Sequence, residues 1–156
     1  MAISTPAPTE IKTVDLTIDG HEVSVPEGTT IWEAAKRAGI EIPVLCHDER
    51  YDPVGVCRLC VVDVGARVYA AACVRPCEDG MEVRTATPEL DRNRSQLTEL
   101  LLVDQPPVEE DPKETTTADN ELLVLVRRYG VERQNGLPIG HGRGVRTRRP
   151  TSVAAG

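Results

Sequence analysis

An α+β fold follows from three features of the sequence. Apolar residues alternate from Val14 through Leu16 and Ile18, then Val23 and Val25, and Asp19-Gly20 breaks the alternation. That is the pattern of two half-buried strands joined by a tight turn. Thr30 and Glu33 then form a capping box ahead of a helical stripe of Ile31, Ala34, Ala35 and Ala38. Finally, short apolar runs between Gly65-Ala66 and Asp79-Gly80 turns precede a longer helical pattern over residues 88–103.

In chain order, residues 1–10 are rich in Pro and Thr and read as a disordered leader. The first domain is placed at 11–87. Its hairpin ends at Pro26-Glu27-Gly28, and the Thr30 hydroxyl and Glu33 carboxylate can each satisfy a free backbone donor of the next helix. That helix runs to about Ala38, with Gly39 as its stop. A hairpin followed by a helix that crosses the sheet is the opening of a β-grasp fold, and the loop that follows hangs from the sheet's end. Trp32, beside the helical stripe, is read as filling space.

After Cys60, Val61, Val62 and Val64 predict a strand that returns over Val68 to Cys73. Met81 to Arg84 gives a last short strand. Pro88 starts a helix carrying Leu90, Leu97, Leu100 and Leu101, which is expected to pack on the sheet or on a neighbouring subunit. This helix opens a C-terminal helical extension over 88–130, and residues 131–156 form a basic, extended tail.

Four of the five cysteines fall at a C-x10-C-x2-C-x12-C spacing: Cys46, Cys57, Cys60 and Cys73. The Cys57–Cys60 pair can grip one metal from a single turn, and the outer two complete a four-thiolate cage. Such cages hold zinc or an iron–sulfur cluster. Structural zinc sites usually pair two short knuckles, and only one is present here. The long–short–long arrangement suits a flat two-iron unit. Two ferric ions, two sulfides and four thiolates would carry about −2 in charge, so N–H groups and cations nearby favour electron uptake. Gly55 lets the backbone turn and approach closely, Arg58 offers positive charge, and Val54, Val56 and Leu59 can exclude water. Asp48, Glu49 and Asp52 are expected to face solvent.

Composition bounds the rest. With no Phe, one Trp and three Tyr the core is aliphatic and small, and a bound metal adds most to stability in such a core. Five cysteines without a hydrophobic leader argue for a reducing compartment, and no stretch approaches the length of a membrane span. Residues 127–156 carry seven arginines against Glu132, while the chain as a whole has a net charge of −7. An acidic body with a basic tail suits electrostatic docking or self-compensation.

Several stretches together carry a resemblance. They are 14–31, Ala-Gly-Ile-Glu-Ile-Pro-Val-Leu-Cys46, Pro-Val-Gly-Val-Cys57-Arg-Leu-Cys60, Ala-Ala-Cys73-Val-Arg-Pro and Asp-Gly-Met-Glu-Val-Arg-Thr. Over roughly residues 12–104 the chain resembles the N-terminal 2Fe–2S domain of the complex I large iron–sulfur subunit, also found in NAD-linked formate dehydrogenases and NAD-coupled hydrogenases. Plant-type ferredoxins place only four residues between their first two ligands; the ten here favour the complex I branch. The resemblance implies one 2Fe–2S cluster ligated by Cys46, Cys57, Cys60 and Cys73, with Gly55 and Arg58 close by. It implies an electron-transfer subunit of a multi-subunit oxidoreductase, passing single electrons between a flavin/NAD(H) module and a catalytic or quinone-side module. The cofactor does the redox work, so no catalytic residue is expected. The expected location is the cytoplasm, including the cytoplasmic face of a membrane complex. A free-standing ferredoxin shuttle and a structural subunit with a non-redox metal site are the alternatives.

The pattern breaks in one place. Relatives continue with His-Pro-x-x-Cys-x-x-Cys-x5-Cys, which binds a 4Fe–4S cluster. Here Gln105 takes the histidine position, Glu109 and Pro112 take the first two cysteine positions, and no cysteine follows Cys77. A second cluster is ruled out, although Glu121-Leu122 to Arg128-Tyr129-Gly130-Val131 still resembles the family's closing helix. Among lone residues, Cys77 is read as a small packing side chain. A Rieske site needs two histidines, which His47 alone cannot supply; His47 is read instead as a hydrogen-bond donor that tunes potential. The acidic run at Glu109, Glu110, Asp111 and Glu114 is read as a solvated loop. The arginine-rich tail lacks stacking aromatics, which argues against nucleic acid as a partner.

Overall fold

The computed structural model describes residues 12–103, 105 and 120–131. The expectations for the leader, the acidic run and the basic tail beyond Val131 lie outside the described residues.

Strands β1 (Thr13–Ile18) and β2 (His21–Pro26) pair antiparallel, with Val14 opposite Val25 and Ile18 opposite His21. Asp19 (φ 49°) and Gly20 (φ 82°) make the turn with both central residues in the left-handed region, as a two-residue hairpin requires. The Asp19 carboxylate accepts from Thr85 N at 2.8 Å and also from the Thr85 hydroxyl. Helix α1 (Ile31–Arg37) has the predicted capping box and buries Ile31, Ala34 and Ala35. Ala38 belongs to the exposed C-cap and not to the inner stripe, because the helix ends a residue before its side chain can reach the sheet.

Strands β3 (Val61–Val62) and β4 (Ala70–Ala71) pair antiparallel, and β5 (Glu82–Val83) joins β1 in parallel. The main sheet therefore runs β2-β1-β5. An Asp63–Arg84 bridge, with N–H···O bonds of 3.0 and 2.8 Å, fastens β3 to its edge. The β3–β4 pair is shorter than the apolar run predicts. Val68 is exposed and Val64 only half-buried, because the turn residues 65–68 bulge outward before pairing starts. Val14, Leu16, Ile18, Val25, Ile31, Val62 and Val83 close the core between sheet and α1.

Helix α2 (Pro88–Val103) starts where predicted, with the Thr87 hydroxyl accepting from Leu90 N at 3.2 Å. Its inner face differs from the leucine stripe expected. Leu90, Arg94, Thr98 and Leu102 are buried at strict four-residue spacing, whereas Leu100 is exposed. Helix α3 (Glu121–Tyr129) is capped by Asn120 and by Gly130 in the left-handed conformation, and it packs on α2 through Leu125. An ion pair from Arg128 to Glu41, 2.6 Å, ties α3 to the segment leaving α1.

Candidate metal centre

The local folding of each segment delivers one cysteine. Cys60 directly precedes β3, and Ala72 N donates to Cys60 O at 3.1 Å, continuing the β3–β4 ladder toward Cys73. The chain around Cys73 is in turn stitched to the start of α1. The first helical donors, Ile31 N and Trp32 N, bond Arg75 O (2.9 Å) and Ala72 O (3.0 Å), while Cys77 N bonds Thr29 O at 2.8 Å. Helix N-termini leave donors without intrahelical partners, and here those donors are used to anchor a cysteine. Cys46 and Cys57 belong to the longer, more open loop between α1 and β3.

The four thiols form two pairs. The Sγ atoms of Cys60 and Cys73 lie 3.3 Å apart in a buried position. Cys46 and Cys57, both half-buried, lie close enough for each to affect the other's ionisation, and Cys57 N points at Cys46 Sγ from 3.5 Å. All four are near enough that charge on Cys60, Cys46 or Cys57 opposes ionisation of Cys73. Among the described residues no three His, Cys, Asp or Glu side chains gather tightly enough for a single metal ion. A lone tetrahedral zinc needs four donors about one centre, whereas a two-iron unit takes two thiolates per iron. The donor set fits the latter.

Electrostatics separate the pairs. Burial pushes the Cys73 thiol up to about 12, and the nearby Cys60 thiol adds to this. Burial also raises Cys57, against an opposing hydrogen bond from Leu59 N–H. For Cys46 burial acts in the same direction, but hydrogen bonds from the backbone of Cys57 and Val56 outweigh it and the pKa falls below the usual thiol range. Backbone N–H groups directed at sulfur stabilise the anion. The loop thus supplies donors of the kind a thiolate-ligated cluster needs.

Gly55 sits at φ 66°, and a Cβ there would lie 3.1 Å from Val74 Cγ1, beside Cys73. The glycine is required both by conformation and by close packing of the two cysteine-bearing segments. Arg58 also has positive φ, 60°, and its guanidinium donates to Tyr69 O at 3.1 Å, bracing the Cys57–Cys60 turn against the β3–β4 loop. Leu59 is fully buried, but Val54 and Val56 are 68% and 70% exposed, so they do not screen the cysteines as expected from sequence. Their side chains project outward because the loop turns its N–H groups, not its side chains, toward sulfur.

Asp48, Glu49 and Asp52 are exposed as anticipated; Asp48 holds Arg50 at 2.6 Å and Glu49 pairs with Lys36. His47 stacks edge-on against Trp32 with ring centroids 4.3 Å apart, and among the described residues neither of its ring nitrogens meets a hydrogen-bond partner. Trp32 fills the gap between α1 and the loop, donating to Ile42 O at 3.3 Å. Cys77 is buried in the core, and burial pushes its thiol up to about 11.

One residue near the site escapes a reading from sequence. Arg94, on α2, is 3% exposed, and its Nε and Nη2 donate to Leu59 O (3.2 Å) and Val61 O (2.6 Å), the carbonyls on either side of Cys60. Its one sequence signal is position: it lies four residues after Leu90, on the same helix face.

Comparison with known proteins agrees with this geometry. Residues 11–88 match the 2Fe-2S iron-sulfur cluster binding domain. The chain is 46% identical over 96 residues to a subunit of the NADH-quinone oxidoreductase of Streptomyces coelicolor, covering 60% of this chain and 11% of that protein. It is 43% identical over 94 residues to the alpha subunit of the NADPH-Fe(3+) oxidoreductase of Geobacter sulfurreducens, with the same coverage. Among solved structures, a NAD+-reducing NiFe-hydrogenase superposes with a TM-score of 0.70 at 30% identity, covering 78% of this chain and 51% of that one. The chain therefore spans about a ninth of the length of these two curated relatives. The cysteine pairs, the N–H groups that face them and the match over residues 11–88 agree: this chain belongs to the family of 2Fe–2S iron–sulfur cluster binding domains.

Proposed function

We propose that this chain is the 2Fe–2S electron-transfer part of a multi-subunit oxidoreductase, with Cys46, Cys57, Cys60 and Cys73 as the four ligands. The pairing of the thiols carries the assignment: Cys60 with Cys73 on rigid structure, Cys46 with Cys57 under backbone donors. Bound there, the cluster supplies reversible one-electron transfer. The chain itself holds four sulfurs in place, directs N–H groups of residues 56, 57 and 59 at them, and keeps water from the Cys60–Cys73 side.

The relatives named above act on NADH, NADPH or NAD+, which supports a flavin/NAD(H) module on one side and a catalytic or quinone-side module on the other. No described helix is long and apolar enough to cross a membrane. We place the protein in the cytoplasm, including the cytoplasmic face of a membrane complex. The acidic balance of residues 1–126 supports a second reading, a diffusing ferredoxin that docks on basic partners. Co-purification separates the two, since a stable complex favours the subunit and a lone monomer the shuttle.

The decisive experiment compares anaerobically purified wild type with Cys57→Ser and Cys60→Ser. Wild type should hold two irons and two sulfides per chain and be EPR-active only when reduced. The variants should lose or strongly alter that signal. An unchanged cluster in either variant would sink the ligand assignment, and one zinc in place of iron would end the electron-transfer reading.

A further inference from the structure

Arg94 is a buried cation whose charge is not cancelled by a buried carboxylate among its described partners. Its guanidinium is 3% exposed and donates to Leu59 O and Val61 O. The nearest carboxylate among its described partners, Asp91 Oδ1, lies 3.6 Å from Nη1 and belongs to a side chain that is 58% exposed, so water weakens its effect on the cation without abolishing it. The Tyr129 hydroxyl of α3 is buried, and the Arg94 charge acts on it to favour ionisation, though burial wins and its pKa rises. Thr98, one turn along α2, bonds the Arg94 carbonyl at 2.7 Å and fills the same buried face.

Burying an arginine is costly unless its donors are used. A helix needing only to pack on β3 would be served by another leucine at this position. Instead the cation is fixed on two carbonyls, one of which belongs to the peptide joining Leu59 to Cys60. Hydrogen bonding there polarises that peptide and holds the Cys57–Cys60 turn on α2. In the low-dielectric interior the charge acts over longer distance than it would in water. Arg58, expected from sequence to supply the positive charge, is exposed and reaches away to Tyr69 O.

We propose that Arg94 is a positioning residue that raises the reduction potential of the cluster, by placing a fixed positive charge beneath the Cys57–Cys60 turn. The inference rests on the 2Fe–2S reading above. Because reduction adds negative charge to an anionic centre, a nearby cation stabilises the reduced form.

The test is an EPR-monitored redox titration of wild type, Arg94→Lys, Arg94→Gln and Asp91→Asn. Arg94→Gln should bind the cluster with its reduction equilibrium constant lowered about tenfold, which is about 59 mV for a one-electron couple. Arg94→Lys should recover most of that shift. Asp91→Asn unmasks the cation without disturbing the carbonyl contacts and should move the potential the other way, about twofold in the same constant. It decides the matter if Arg94→Gln does not fold. An unchanged potential in Arg94→Gln, equal shifts in Gln and Lys variants, or, where Arg94→Gln does not fold, an unmoved Asp91→Asn would each overturn the proposal. Wild type without a 2Fe–2S signal would overturn the function reading together with it, whereas an intact signal with unmoved potentials overturns this proposal alone.

Discussion

The two halves of the cysteine site are built differently. Cys60 and Cys73 are each 1% exposed and stand at the ends of strands, anchored by the β3–β4 ladder, the start of α1 and Arg94 on α2. Cys46 and Cys57 are half-buried on a loop whose own backbone supplies their donors. Burial dominates the Cys73 thiol, while N–H groups prevail at Cys46. With the four cysteines as the proposed ligands, the buried pair would fix where a cluster sits, and the half-buried pair is the side more open to solvent.

Serine substitutions in the two halves should therefore differ. If Cys73 ligates iron as proposed, serine's shorter C–O bond would have to reach it from a segment held by backbone bonds to α1 and β3, which leaves it little room to follow. Cys73→Ser should leave less than about a tenth of the wild-type iron, with a lower Tm as well. At Cys46 the open loop can shift, so Cys46→Ser should keep a substantial fraction of cluster with a blue-shifted visible spectrum. Iron and sulfide analysis beside absorption spectra checks both. Equal losses at the two positions would break the distinction between halves.

Gly55 is where the halves touch, so it tests the contact directly. Gly55→Ala imposes about 1–2 kcal/mol of left-handed backbone strain and drives a Cβ to 3.1 Å from Val74. We expect a Tm several degrees lower and faster cluster loss to chelator. The double variant Gly55→Ala/Val74→Ala should regain the packing part only, because the backbone strain remains. Thermal melts that match wild type would show that the loop adopts φ 66° without needing glycine.

Much of this is legible in the sequence because the signals are local. The Asp19-Gly20 turn, the Thr30–Glu33 box, the Pro88 start of α2 and the Cys57–Cys60 turn each follow from residues within a few positions of one another. What cannot be read depends on distant partners. The burial of Arg94 rests on carbonyls 35 and 33 residues away, whose direction is set by the Cys57–Cys60 turn. The outward aim of Val54 and Val56 likewise follows from a loop that points its amides inward, which hydropathy cannot register. The α2 stripe departs from expectation for the same reason: hydropathy assigns leucines to the core, and an arginine with two buried acceptors takes that face instead.

The smallest effect concerns the thiols in protein stripped of metal. Cys73 is pushed up to about 12 and Cys77 to about 11, both first by burial. In the unfolded chain these thiols ionise near about 8.5. A folded pKa above the unfolded one means that the stabilisation is complete below the unfolded pKa and is lost as pH rises through the folded value. Metal-free protein should thus lose stability progressively from about pH 8.5 toward 11 and beyond, as read by urea unfolding at successive pH values. Cys77→Ala should flatten that slope in part, cost about 1 kcal/mol at neutral pH through a lost buried contact, and leave the visible spectrum of the loaded protein unchanged. A spectrum altered by Cys77→Ala would move this cysteine from the packing of the core into the site, and the two-pair division of the thiols would have to be redrawn.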